Sequence, residues 1–119
     1  MKDFDIIFDY LKNILTDYEQ DMVVAINEPN HFYLNTHHIM KNKKPMYFAS
    51  AKVNKNYVSF HLMPVYVFPE LLDNISPELK KRMQGKSCFN FKTFDDALFI
   101  ELTDLTRAGF HKFEQADCL

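Results

Sequence analysis

Cysteine, glycine and basic charge are scarce in this sequence, and tryptophan is missing altogether. The two cysteines, Cys88 and Cys118, are too few for a disulfide framework and show no CxxC spacing, so reduced thiols are expected. A formal charge of −2 at pH 7 lacks the excess of Lys and Arg that marks a nucleic-acid binder, and no nucleic-acid partner is expected. No apolar run approaches the roughly 20 residues of a membrane span, which argues against a membrane partner. The opening stretch MKDFDIIFDYLKNILTDYEQ interleaves acids with apolar residues, unlike the basic-then-apolar order of a secretory signal. A cytoplasmic location follows as the expectation.

What is abundant is apolar and aromatic. Hydrophobic residues make up 47% of 119 positions, with twelve Phe and six Tyr, enough for one domain over residues 1–119 that buries an aromatic core without staples. Phe4, Ile7, Phe8, Leu11, Leu15 and Tyr18 recur at spacings of three and four, the stripe of an amphipathic helix. After Asp21 the period shortens: Met22 to Ile26 and His31 to Leu34 read as two short strands around the turn Glu28-Pro29-Asn30. PMYFASAKV and YVSFHLMPVYV, broken at Asn54-Lys55, read as a hairpin. In its second arm Val58, Phe60 and Leu62 face the core, while Tyr57, Ser59 and His61 face the other way. Pro64 then ends regular pairing or marks an edge.

Glycine enters at one suggestive place. The stretch RMQGKSCFNF holds Gly85-Lys86-Ser87, the ending of a phosphate-gripping loop. Such a loop needs another glycine five positions earlier, where Lys80 stands, and runs from strand to helix. Here the preceding SPELKKR reads as a helix capped by Ser76, with Pro77 at its first position and Lys80, Lys81 and Arg82 in its last turn. Gly85 is then expected as its left-handed stop, and nucleotide binding through this loop is excluded. In the strand that follows, Phe89 and Phe91 point inward, and Cys88 reads as a packed thiol. A last helix begins after Thr93, read as its N-cap, with Leu98, Leu102, Leu105 and Gly109 on one stripe. Gly109 costs helix stability and so predicts close approach by another element. The fold expected is α+β: a two-layer sandwich with an antiparallel sheet of about five strands, covered on one face by the N- and C-terminal helices.

The run KKPMYFASAKVNKNYVSFHLMPVY, the Ser-Pro-Glu-Leu helix, GKSCFNF and the terminal helix resemble the bacterial YdhG-like family, a group largely of unknown function. The likeness runs from about Pro45 to the end and more loosely over the first helix. It implies a frataxin-like fold and, by analogy, an intracellular iron chaperone that presents iron on an acidic ridge. The acids matching that ridge are Asp3, Asp5, Asp9, Asp17, Glu19 and Asp21, with Asp5, Asp9 and Asp17 as the metal candidates.

Read from the residues alone, Asp5 and Asp9 stand one turn apart and could share a hard cation, or simply solvate the helix face. His37 and His38 are adjacent on a strand, point to opposite faces and cannot both ligate one metal. His61 lies mid-strand, where its imidazole could meet a ligand on the sheet or serve as an ordinary surface histidine. Lys41, Lys43 and Lys44 form a solvated loop or an anion-binding lip. No nucleophile and base, and no carboxylate pair, are framed for catalysis, so a non-enzymatic binding or carrier domain is expected. Its ligand site is expected on the open sheet face at Tyr47, His61 and Tyr66, with Lys44 at the lip, or its cargo is iron on the acidic helix. The alternative is an interaction or homodimerisation module using this face or an edge near Pro64 to Phe68.

Overall fold

Helix α1 (Asp3–Thr16) buries the stripe its spacing predicts: Ile7, Leu11 and Leu15 are fully buried and Phe8 nearly so. The protein is described by a computed structural model over residues 3–119, with the Asp3 side chain outside the described residues. A short 3₁₀ turn (Glu19–Asp21) leads into β1 (Val23–Glu28), β2 (His31–Ile39), β3 (Pro45–Val53) and β4 (Val58–Leu62). Then come α2 (Met63–Val67), a second 3₁₀ turn (Pro69–Leu72), α3 (Pro77–Lys80), β5 (Met83–Gln84), β6 (Cys88–Phe91) and α4 (Asp96–Gln115). The six strands form one sheet in the order β1-β2-β3-β4-β6-β5, every neighbouring pair antiparallel.

The fold is therefore the expected α+β arrangement, with α1 and α4 against one face of the sheet. That face carries Phe32, Leu34, Ala49, Ala51, Val58, Phe60, Leu62, Phe89 and Phe91, all buried. Seven phenylalanines are essentially inaccessible, and each contributes roughly 2 kcal/mol of apolar burial. Tyr18, Phe48, Phe110 and Phe113 interlock where α1, β3 and α4 meet, with ring centroids 4.9 to 6.2 Å apart. Gly109 does what its position predicts. A Cβ there would stand 2.8 Å from Pro64 Cβ, so α4 presses its bare backbone onto the first turn of α2.

Four local expectations are corrected. The helix at Ser76 is a single turn, ending at Lys80 instead of running through Arg82. Met83 leaves it to pair with Phe89, and the Arg82 carbonyl accepts from Asn90 N at 2.8 Å, which adds a sixth strand. Gly85 is left-handed, with φ 81°, but it opens the β5–β6 turn and is not a helix stop. The last helix is capped by Asp95, whose Oδ1 accepts from Leu98 N at 3.2 Å, and not by Thr93; a carboxylate beside the positive helix end outcompetes the hydroxyl two residues earlier. Pro64 to Phe68 form no edge strand: Pro64 starts α2, β4 lies inside the sheet, and the edges are β1 and β5.

Ser76 also joins two distant segments. Its amide and hydroxyl both donate to the Glu101 carboxylate at 2.6 Å, while Ser76 Oγ accepts from Leu79 N. This fixes α3 against α4 and holds the β5–β6 end of the sheet.

Candidate functional site on the open sheet face

With both long helices on one face, the other is left without a covering layer. Strand alternation fills it with polar residues, and the register sets them in rows across the strands. One row runs Tyr33, Ser50, His61, Cys88, Gln84; the next runs His31, Lys52, Ser59, Asn90. Rows stand about 7 Å apart and neighbours within a row about 5 Å.

A bulge in β3 completes the site. Leu34 pairs with Ala49, but the next residue, Asn35, pairs with Tyr47, so Phe48 is the extra residue. Strict alternation would place Phe48 beside Ser50 and Lys52. The bulge sends Phe48 into the core and brings Tyr47 onto the open face, where Tyr47 Oη and Ser50 Oγ hydrogen bond at 2.5 Å. Tyr47 stacks on Tyr33, with centroids 4.5 Å apart and planes 19° from parallel.

These side chains enclose an open concavity of about 550 Å³, with Tyr33, Tyr47, Ser50, Lys52, Ser59, His61 and Cys88 among its lining. Its polar atoms are mostly oriented by their neighbours. Asn54 Nδ2 donates to Ser59 Oγ at 2.6 Å, Asn90 Nδ2 to Gln84 Oε1 at 2.8 Å, and the Cys88 thiol to Asn90 Oδ1 at 3.3 Å. The imidazole of His61, half-buried at the middle of the face, has no hydrogen-bond partner among the described residues, and the side chains of His31, Tyr33, Lys52 and Tyr57 along the same lining have none either.

Burial sets the protonation states. It pushes the His61 imidazole below its ordinary value. It does the same to His31, where Lys52 adds to the effect and Glu28 opposes it. The Tyr47 phenol is driven well upward by burial, against the opposing hydrogen bond with Ser50, and Tyr33 is raised for the same reason. Burial also raises the Cys88 thiol, partly offset by a hydrogen bond from Ser59. At neutral pH the floor is thus polar but uncharged, and the exposed Lys52 is the cation along its lining. Although Cys88 is the cross-strand partner of His61, its raised pKa and its bond to Asn90 keep it a thiol, the opposite of an activated nucleophile.

Of the four ligand-site residues expected from sequence, the structure brings Tyr47 and His61 together and leaves two outside. Tyr66 lies on α2, more than half exposed, with Lys86 Nζ 5.9 Å from its ring centroid and a separate apolar hollow beside it. Lys44 is exposed in the β2–β3 loop, its amide donating to Asn42 Oδ1 at 2.9 Å. Asp5, Asp9 and Asp17 are all exposed on or just after α1, and among the described residues no three or more His, Cys, Asp or Glu side chains gather to hold a metal ion. Sequence reading missed Tyr33, Ser50 and Lys52. Tyr33 was legible, since it alternates with the inward Phe32 and Leu34; Ser50 and Lys52 were hidden by the bulge, which breaks the alternation connecting them to Tyr47.

No family model, curated protein or solved structure matches this chain.

Proposed function

We propose that this is a non-enzymatic binding or carrier domain whose ligand site is the open sheet face, with Tyr47 and His61 as its central contacts. The observation that carries the reading is His61. A half-buried imidazole that is neutral near physiological pH and unbonded among the described residues can offer one donor and one acceptor to a ligand, beside a stacked tyrosine pair that adds aromatic surface to the concavity. A concavity whose polar groups converge beside aromatic rings can fix the orientation of a small molecule.

The iron-chaperone reading draws on the YdhG-like and frataxin-like resemblance and on the exposure of Asp5, Asp9 and Asp17. The sheet reading has convergent geometry behind it, so we favour it. The test is a thermal-shift screen of the intact protein against a metabolite library and Fe²⁺. A ligand of the sheet face raises the melting temperature, and His61→Ala and Tyr47→Ala abolish that rise while Tyr66→Ala and the triple change Asp5→Asn, Asp9→Asn, Asp17→Asn preserve it. A rise caused by Fe²⁺ and abolished by the acid substitutions would overturn this reading in favour of iron.

A further inference from the structure

The cations of this domain are distributed unevenly over its surface. A second concavity of about 430 Å³ adjoins the first and shares Tyr57, Gln84 and Asn90 with it. Its other walls include Lys81, Arg82 and Lys92. Together with Lys52 the two concavities hold four cationic side chains, whereas among the described residues no Asp or Glu lines either one. The chain as a whole has more acids than bases, sixteen against fourteen, so composition alone would put acids here. Glu28, the cross-strand partner of His31 on the edge strand β1, lines neither hollow.

None of these four cations forms an ion pair within the protein among the described residues; the pairs present involve Arg107, His111 and Lys112 on the helix side. An unpaired basic set lining a groove leaves its field directed at whatever enters. At the opposite end Tyr33 and Tyr47 stack on one another, which leaves their ring edges and outer faces as the aromatic surface of the concavity. Lys52 stands one row beyond Ser50 on the same strand, roughly 7 Å along it, within reach of a group attached to a ring that rests on the tyrosines.

We propose that the open face binds a small anionic ligand with a flat ring, the ring lying against Tyr33 and Tyr47 and its carboxylate or phosphate directed to Lys52, with the Lys81, Arg82, Lys92 groove beyond adding to the positive field. This rests on the sheet face being the ligand site and adds the ligand's chemistry. A carboxylate and a phosphate meet the same cations, so probes of both kinds are needed to tell them apart.

The experiment is a ¹⁵N NMR titration of the whole protein with naphthalene-2-carboxylate and adenosine 5′-monophosphate, each beside its uncharged counterpart, 2-naphthamide and adenosine. At least one charged probe should shift the amides of Tyr33, Tyr47, Ser50, Lys52 and His61. It should bind roughly tenfold more tightly than its counterpart, the advantage a few exposed charge contacts supply, and lose that advantage as salt is raised. The combined change Lys52→Gln, Arg82→Gln, Lys92→Gln, all at exposed positions, should cut the preference to twofold or less without changing the melting temperature. Uncharged probes binding equally well at the same residues would overturn the anionic inference and leave the sheet-face site standing. No shift of open-face amides by any of the four would overturn both.

Discussion

Tyr47 and Ser50, three residues apart on one strand, share a sheet face and a hydrogen bond only because the extra residue Phe48 between them is folded into the core. The stacked tyrosines and the aromatic wedge at the helix layer both depend on that one irregularity. Removing the Tyr47 hydroxyl leaves the buried Ser50 Oγ without this partner. Tyr47→Phe should therefore lose about 1 kcal/mol in urea unfolding and keep its fold, because the ring still stacks on Tyr33. A loss of several kcal/mol would mean that the hydroxyl holds the bulge itself.

Gly109 gives two effects of opposite sign, and magnitude decides between them. Ala in place of Gly inside a helix gains up to about 1 kcal/mol of helix propensity. Its Cβ would stand 2.8 and 3.1 Å from two atoms of the Pro64 ring, which cannot swing away. Overpacking of this kind costs about 1–3 kcal/mol, so Gly109→Ala should lower stability on balance. A stabilised variant in thermal or chemical unfolding would show that α2 yields at this contact.

Gly85 differs because no atom lies within 4 Å of the place its Cβ would take. Only the backbone objects: φ is 81°, which a side chain tolerates poorly and a β-branched one worst. We expect Gly85→Ala to lose about 1 kcal/mol and Gly85→Val more. Equal melting temperatures for all three proteins would contradict the left-handed turn.

The histidines of the open face give a pH dependence with a definite sign. Burial holds the folded-state pKa of His61, and to the same end that of His31, below the ordinary 6.5. The unfolded chain therefore takes up protons first as pH falls, so stability is full above about pH 6.5 and declines as pH drops from there through the folded-state values. His61→Gln should flatten the decline between pH 7 and 5, measured by urea unfolding. An imidazole titration by NMR that places His61 above 6.5 would reverse the sign.

How much of this was legible in the chain depends on whether local periodicity or long-range pairing decides. The stripe Ile7, Leu11, Leu15 and the alternation Val58, Phe60, Leu62 against Ser59, His61 were readable because each element buries one face and the period is set within a few residues. The pressure behind Gly109 was readable too, though Pro64 as its partner was not, since 45 positions separate them in sequence. Met83-Gln84 reads as the end of a helix on local charge, and only pairing with Cys88 and Phe89 makes it a strand. The bulge at Phe48 is likewise decided by what packs on either side of the sheet. Hence His61, Tyr47 and the outward Tyr33 are readable from sequence, whereas Ser50 and Lys52 are joined to Tyr47 only through the bulge. Tyr66 lies past Pro64, where the chain turns into α2 and leaves the sheet face.

The most direct measurement is native mass spectrometry of the protein taken straight from cells, comparing wild type with His61→Ala and with the triple change Asp5→Asn, Asp9→Asn, Asp17→Asn. A sheet-face ligand site gives wild-type protein an added small-molecule mass that the triple variant retains and His61→Ala loses, all three with the same native charge-state distribution. An added mass equal to iron, lost in the triple variant and kept in His61→Ala, would contradict it.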